Sequence, residues 1–288
     1  MKISVIIPNW NGQNLIKKNL PRVISSLPIN TEVIVVDDGS GDNSVKILKE
    51  LKNKYEFKLI ENKNNIGFIK TCNKAVKLAK GELFLLLNTD VIPQKGFLKS
   101  VLEHFNNEKI FAVSLNEKKY GWAKIWWRGG YIHMGDGGQT KGAHLSAWAS
   151  GGSAIFRKSM WKKLGGFDPI YDPFYWEDFD LGFRAWASGY KIIWEPKAVV
   201  NHEHEATTSK LNPLYVNLIK ERNQLLFIWK NVSDPWWRIS NIFGIGLRTF
   251  MGPNYIKVVF AAMSQYRKFG KPKKSYNISA KQVISLFK

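Results

Sequence analysis

Cysteine is nearly missing from this chain: Cys72 is the single one in 288 residues. One thiol builds neither a disulfide framework nor a thiolate zinc site, and a chain so poor in cysteine suits a reducing compartment. The glycine motifs of two large nucleotide-binding classes are also missing. No G-x-G-x-x-G follows the first apolar run and no G-x-x-x-x-G-K-[ST] occurs anywhere, which disfavours dinucleotide oxidoreductases and P-loop NTPases. No apolar run approaches the roughly 18 residues of a spanning helix. The nearest, from 239 to 263, is broken by Arg248, Pro253 and Lys257. No apolar h-region with a small-residue cleavage site follows Met1-Lys2, so no signal peptide is expected.

Acidic residues are scarce too, 23 against 43 Lys and Arg, for a net charge of +20. The imbalance is uneven. Residues 211–288 hold 13 basic and 2 acidic residues, and residues 1–210 hold the other 30 and 21. A strongly basic C-terminal region on a milder body predicts an anionic partner for it: nucleic acid, anionic lipid or a phosphorylated substrate.

What is present is ordinary globular material, 44% hydrophobic and 23% charged. The first hundred residues alternate between two periodicities. Ile3–Ile7, Glu32–Val36, Phe57–Ile60 and Glu82–Leu87 read as buried strands. Between and after them, Leu15 to Leu27, a segment capped by Asp42 or Asn43, Lys70–Lys80 and Gln94–Asn107 carry apolar residues at helical spacing. Pro21 is expected to kink or split the first helix. Strand–helix alternation predicts βαβ units, an α/β fold with a mostly parallel sheet covered by helices on both faces. Residues 116–152, with nine glycines and Trp122, Trp126, Trp127 and Trp148, read as a loop-rich aromatic excursion that either binds a ligand or merely packs. Three helical patterns follow near 213–230, 235–250 and 254–268, and then a lysine-rich tail.

In such a sheet, ligands lie beyond the carboxyl ends of the strands. Polar and acidic residues gather there: Pro8-Asn9-Trp10-Asn11-Gly12, Asp37-Asp38-Gly39-Ser40, Asn62 to Gly67, and Asn88-Thr89-Asp90. Carboxylates at strand ends suit a ribose, a base, or a hard divalent ion held against a diphosphate. Taken singly, each is an ordinary turn former. Downstream, Glu177-Asp178-Phe179-Asp180 sits among aromatics that raise a carboxylate's pKa toward that of a general base. Asp180 and Arg184 make an i,i+4 pair, a structural role, which leaves Glu177 or Asp178 for chemistry. His202 and His204, two apart, point to opposite faces if extended. At most one of them joins Asp90 in a metal site.

In this order the motifs resemble glycosyltransferase family 2, the inverting nucleotide-sugar enzymes of the GT-A fold, and most of all its rhamnosyltransferase-like branch. The resemblance covers roughly residues 3 to 210. It is carried by Val5 to Gly12, Val35 to Ser40, Asn65-Ile66-Gly67-Phe68 with Asn73, Leu87 to Asp90, Gly151 to Ala154, Gly166-Phe167-Asp168, and Glu177 to Leu181 with Arg184.

The resemblance implies a GT-A type Rossmann-like catalytic domain over 1–210 with a basic helical appendage over 211–288. Pro8, Asn9, Asn11, Asp37, Asp38, Asn65, Gly67, Asn73 and Asn88 would bind the nucleotide diphosphate. Asp90 and His202 would hold Mg²⁺ or Mn²⁺, Asp178 or its neighbour Glu177 would act as base, and Trp148, Gly152 and Trp176 would meet the acceptor. Asn88 stands where the family has its first acid, and the processive Gln-x-x-Arg-Trp signature is absent, so one sugar per encounter is expected.

The implied partners are a nucleotide-diphospho-sugar donor and a glycan or lipid-linked acceptor. The basic amphipathic helices predict a cytoplasmic protein peripheral on an anionic membrane surface. The alternatives are that these helices pack on the catalytic domain or form the interface of a homodimer. Two other functions compete. A sugar nucleotidyltransferase is disfavoured by the Glu177-Asp178 element. A nucleic-acid-binding module is disfavoured because the basic region carries no reader motif, and no nucleic-acid partner is expected.

Overall fold

The structure is a computed structural model that describes residues 1–203, 211–269 and 278–287. Along the chain, β1 (Ile3–Asn9), α1 (Gln13–Ser26), β2 (Glu32–Asp37), α2 (Ser44–Lys52), β3 (Lys58–Glu61), α3 (Phe68–Leu78) and β4 (Leu83–Leu87) form the regular alternation that was predicted. There follow β5 (Val91–Pro93), α4 (Leu98–His104), β6 (Ile110–Asn116), β7 (Ala123–Arg128), β8 (Tyr131–Asp136), β9 (His144–Leu145) and β10 (Ser153–Arg157). The remainder comprises α5 (Lys158–Leu164), a 3₁₀ turn (Pro169–Tyr171), α6 (Glu177–Ala187), β11 (Lys191–His202), α7 (Pro213–Asn231), α8 (Pro235–Met251), α9 (Tyr255–Phe269) and α10 (Ala280–Ser285).

One sheet runs in the order β3-β2-β1-β4-β10-β6-β11-β5, with β9 beside β11. β1, β2, β3 and β4 are mutually parallel, β10 is antiparallel to both β4 and β6, and β11 is parallel to β6. This topology decides where the site lies. The C-terminal ends of β1, β2, β4, β6 and β11 and the starting ends of β10 and β5 all fall on one edge. Asn9, Asp37, Asn88, Asp90, Glu117, Gly151 and His202 therefore converge from distant parts of the chain.

Alternate residues of each strand enter opposite cores, as a sheet covered on both faces requires. Val5, Ile7, Val33, Val35, Leu85 and Leu87 pack with α1, α2 and α4. Ile6, Ile34, Val36, Phe84 and Leu86 pack with α3, α5 and α6. Leu225, Leu226, Phe227 and Ile228 of α7 belong to this second core, so the chain after 211 is built against the body through α7.

Four expectations change. The first helix is continuous through Pro21, because Ile16, Leu20 and Val23 hold it against the sheet. The helix expected over 94–107 is confined to Leu98–His104, since Gly96 at φ +85° breaks it, and β5 precedes it. The excursion over 116–152 contains the β7–β8 hairpin, whose turn is Gly129-Gly130. Both glycines have positive φ, as a two-residue I′ turn demands. Finally, the chain after the third C-terminal helix folds again. Ser279 and Gln282 form a capping box, and Phe287 packs edge-on against Trp186, the ring centroids 5.2 Å apart. Lys271, Lys273, Lys274 and His204 lie outside the described residues.

Candidate active site

The parallel register of β1 and β2 sets Asn9 beside Asp37. Asn9 Nδ2 donates to Asp37 Oδ2 at 2.8 Å, and the backbone N and hydroxyl of Ser40 donate to the same carboxylate at 2.9 and 2.7 Å. Asn11 is tied to this loop, its Oδ1 accepting from Gly41 N at 2.8 Å. Pro8 precedes the cluster, paired with Val36. Asn9 Oδ1 is buried and has no partner, while Gly12 leaves the space before it open: a Cβ there would sit 2.3 Å from that oxygen. Asn9 thus holds one acceptor in reserve for a donor from outside the chain.

Asp38 turns away from Asp37 and organises the next loop. It accepts from Asn62 Nδ2 at 2.8 Å, Ile66 N at 3.0 Å and Gly67 N at 3.0 Å. Asn65 caps the same Gly67 N at 2.9 Å. Gly67 adopts φ +91°, a conformation only glycine takes cheaply, and so lets the chain turn into α3 while its N–H stays on Asp38 and Asn65. Asn73, on α3, has its amide committed to another loop. Both its amide atoms bond the backbone of Phe167, at 2.7 and 3.0 Å, and clamp α3 to the Gly166-Phe167 turn.

Across the same edge, His202 ends β11 between two carboxylates. Its Nε2 is 3.3 Å from Asp90 Oδ2 and its Nδ1 is 2.9 Å from Glu117 Oε2. Burial pulls the imidazole pKa down, but the hydrogen bonds and charges of Asp90 and Glu117 outweigh it and raise it to about 9. Glu117 also accepts from the Ser153 hydroxyl. A histidine oriented through Nδ1 by a carboxylate, with Nε2 toward a second carboxylate, is the arrangement in which a histidine ligates a divalent ion. Asp90 and His202 therefore fit a metal, although among the described residues no three His, Cys, Asp or Glu side chains form a preassembled cage. Asn88 lies against Gly152, where any Cβ would approach its Nδ2 to 2.3 Å. Glycine at 152 is thus what lets β10 start beside the Asn88-Thr89-Asp90 turn.

Asp178 is in the first turn of α6. Its Oδ2 accepts from Gly151 N at 3.2 Å and its Oδ1 from Phe179 N at 2.7 Å. Burial raises its pKa, and the charge of Glu117 adds to that, against the lowering effect of the backbone N–H groups of Gly151, Phe179 and Asp178 itself. Glu177, 7% exposed and with Oε2 unpartnered, is pushed to about 8 by burial and by the charge of Asp178. The two acids differ in setting. Asp178 is partly open and faces the glycine loop, whereas Glu177 is enclosed.

The loop before α6 carries backbone strain. Tyr175 and Trp176 both have positive φ, +68° and +78°, a conformation costing roughly 1–3 kcal/mol for a residue with a side chain. It is held by α7. Asn223, fully buried, donates through Nδ2 to the carbonyls of Tyr171, Phe174 and Tyr175 at 2.8–3.0 Å. Arg222 donates to the Asp172 carbonyl and to Asn223 Oδ1. The strain turns Trp176 inward against Phe179 and Phe227, with 6% exposure. Its ring is core, with little surface for an acceptor. Trp148 packs edge-on against Phe179 and keeps part of its surface. Asp180 is paired with Arg184 at 2.6 Å, the structural role expected of it, and also with Lys230.

Sequence reasoning missed Glu117, Asn223 and Arg222. Glu117 follows β6, a run (Ile110–Asn116) bounded by no turn signal that marks its end as part of the sheet edge. Arg222 and Asn223 lie within the polar run Lys220 to Gln224 of α7, and no sequence signal sets them apart from their neighbours.

The chain matches the family described as Glycosyl transferase family 2 over residues 4–165. It is 27% identical over 203 residues to the poly-beta-1,6-N-acetyl-D-glucosamine synthase of Staphylococcus epidermidis, covering 68% of this chain and 48% of that protein. It is 28% identical over 127 residues to the dolichol-phosphate mannosyltransferase of Pyrococcus furiosus, covering 44% and 36%. The matches thus span about half or less of these relatives' own length. In fold it resembles GalNAc-T7 solved with UDP, GalNAc and Mn²⁺, with a TM-score of 0.67 at 16% identity, over 81% of this chain and 48% of that one. The predicted GT-A type α/β architecture is the one found, and the chain belongs to glycosyl transferase family 2.

Proposed function

We propose that the chain is an inverting glycosyltransferase. It moves a hexosyl or deoxyhexosyl group from a nucleotide-diphospho-sugar, UDP- or dTDP-linked, to a hydroxyl of a glycan or lipid-linked acceptor in cell-surface polysaccharide synthesis. The observation that carries this reading is the placement of Asp178. A carboxylate of raised pKa rests on Gly151 N, on the sheet edge where the Asn9–Asp37 pair and the Asp90–His202–Glu117 chain also converge. In this reading residues 1–210 form the catalytic part and 211–288 the helical part. Relatives act on glycan and lipid-linked substrates by name, and the motif order resembles the rhamnosyltransferase-like branch.

The chemistry follows from charge. The nucleoside meets Pro8, Asn9, Asn11 and the Asp37 loop. The diphosphate lies against the backbone at the Gly67 turn. Asp178 takes the proton of the acceptor hydroxyl while that oxygen attacks the anomeric carbon from the face opposite the diphosphate, which inverts the centre. The electron pair of the broken C–O bond leaves on the diphosphate. Asp90 and His202 would hold a Mg²⁺ or Mn²⁺ ion, which supplies positive charge to the leaving diphosphate. Glu117 fixes the imidazole through Nδ1, and Asn223 holds the strained loop that aims Asp178. Trp148 and the open space at Gly152 border the acceptor side.

On this reading the protein is cytoplasmic and peripheral at the inner face of the cell membrane; among the described residues no helix is long and apolar enough to cross it. The test is a screen of nucleotide-sugars by thermal shift and hydrolysis with and without Mn²⁺. The reading expects one nucleoside diphosphate class to stabilise the protein in a metal-dependent way. No response to any of them would overturn it.

A further inference from the structure

Helix α8 is amphipathic in the wrong sense for a soluble helix. Its inner side is narrow: Gly244 lies against Gly129 and Tyr131, Asn241 donates to the Gly130 carbonyl at 2.8 Å, and Trp237 stacks on Trp127 with centroids 4.5 Å apart. Its outer side presents Trp236, Ile242, Phe243, Leu247, Phe250 and Met251, each between 61% and 87% exposed. A Cβ at Gly246 would meet nothing within 4 Å, so this side is bare along its length. The next helix extends the surface through Phe260, 63% exposed.

An apolar face of this size on a protein is an interaction surface, and the charges around it select the partner. After Asp234 the sequence contains no acidic residue to its end. The exposed charges flanking the face are Arg238, Lys257, Arg267 and Lys268. A second copy would bring an equally basic rim against this one, within a chain of net charge +20. A bilayer with anionic headgroups offers hydrocarbon to the aromatic side chains and phosphates to the basic rim, the two demands of an in-plane helix.

We infer that α8 is the insertion helix of this protein, lying in the plane of an anionic membrane with Trp236, Phe243, Leu247 and Phe250 in the acyl boundary and Arg238, Lys257, Arg267 and Lys268 at the headgroups, while Arg248 is turned inward over the Tyr131 ring. This rests on the peripheral placement proposed above and names the face that provides it. It also links the membrane to the chemistry. α8 follows α7 directly, and α7 carries the Asn223 that holds the loop before Asp178. A lipid-linked acceptor would therefore arrive on the side from which the base-bearing loop is braced.

The test is flotation of the full-length chain at low ionic strength with phosphatidylcholine vesicles, with and without phosphatidylglycerol. The expected result is co-flotation with the anionic vesicles, together with a blue shift of tryptophan emission. Phe243→Glu combined with Phe250→Glu, both outward-facing, should lose at least about tenfold in bound fraction, because two charges must then be placed in the acyl boundary. Its melting temperature and nucleoside diphosphate response should not change. Should that variant melt early, Lys257→Glu with Arg267→Glu and Lys268→Glu decides instead, and must lose the preference for anionic vesicles. If neither variant alters binding, the membrane placement survives and the assignment to α8 falls. If the unmodified chain never floats, both fall. A concentration-dependent dimer that the α8 variant dissociates, without vesicle binding, would make the face a self-association surface and overturn the proposal. None of these outcomes depends on whether a nucleotide-sugar binds, so the donor reading is judged separately.

Discussion

The side-chain amide of Asn223 donates to the Tyr175 carbonyl at 2.8 Å, and this bond ties the C-terminal helices to the loop that carries the proposed base. Tyr175 and Trp176 are held at positive φ, and Glu177 and Asp178 follow at once. A loop in this conformation persists only when its surroundings over-determine it. Asn223→Ala should remove the amide donor that the Tyr171, Phe174 and Tyr175 carbonyls share, the first of them in a buried bond, and cost about 1–3 kcal/mol of stability. A position that merely packs would lower the melting temperature alone. Here kcat should fall more than the KM for donor rises, because the residues proposed to contact the nucleotide lie on other loops. Calorimetry and initial-rate kinetics on the same preparation check both.

Glu117 is predicted to act through His202. Its carboxylate sits 2.9 Å from Nδ1, so Glu117→Gln should leave the imidazole in place but less firmly oriented, and should weaken metal-dependent nucleotide binding by about 10–100-fold. Titration calorimetry with Mn²⁺ and a nucleoside diphosphate measures this directly. Equal affinity in the variant would remove Glu117 from the proposed metal site.

Asp90→Ala should abolish the metal dependence of nucleotide binding, since Asn88 cannot replace a carboxylate and Asp90 is the acid of its turn. His202→Ala should be milder. If both variants keep full affinity in calorimetry with and without Mn²⁺, the enzyme binds its donor without metal.

Burial and the neighbouring charge of Asp178 raise Glu177 to about 8 in the folded chain, above its ordinary 4.5. The folded state therefore binds more protons than the unfolded one across that interval, and stability should fall as pH rises from about 4.5 to about 8. Glu177→Gln removes the titration. Its stability should match the parent near pH 4.5, exceed it by an amount on the order of a few kcal/mol at pH 8, and flatten the profile between. The raised pKa of Asp178 carries the opposite consequence for rate. Transfer should decline as pH falls, because a protonated Asp178 cannot accept the hydroxyl proton. Denaturant melts and pH–rate profiles test the two signs separately.

Much of this was legible in the chain. The apolar runs at Ile3–Ile7, Glu32–Val36 and Glu82–Leu87 and the turn residues after them marked both the parallel half of the sheet and the edge where Asn9, Asp37 and Asp90 gather. Local pattern sufficed because each signal lay within one strand and its turn. The remainder depends on contacts between distant segments. Glu117 reaches His202 only because β6 and β11 are parallel neighbours, and Asn223 reaches Tyr175 only once α7 is docked on α6. Neither pairing leaves a periodicity to read. Trp176 shows the converse case: an aromatic next to the acids looked like an acceptor platform, but the left-handed backbone at that residue turns it into the core. Gly129-Gly130, counted as loop glycines, proved to be the turn of a hairpin that carries Trp127 to α8.

The central claim is that Asp178 is the general base of a transferase. Its most direct measurement is Asp178→Asn assayed on one preparation for nucleoside diphosphate binding by calorimetry and for sugar transfer to acceptor. The account predicts donor affinity within a few-fold of the parent and transfer lowered by about 10²–10⁴-fold. Transfer at the parent rate, or its loss in Glu177→Gln while Asp178→Asn stays active, would contradict it.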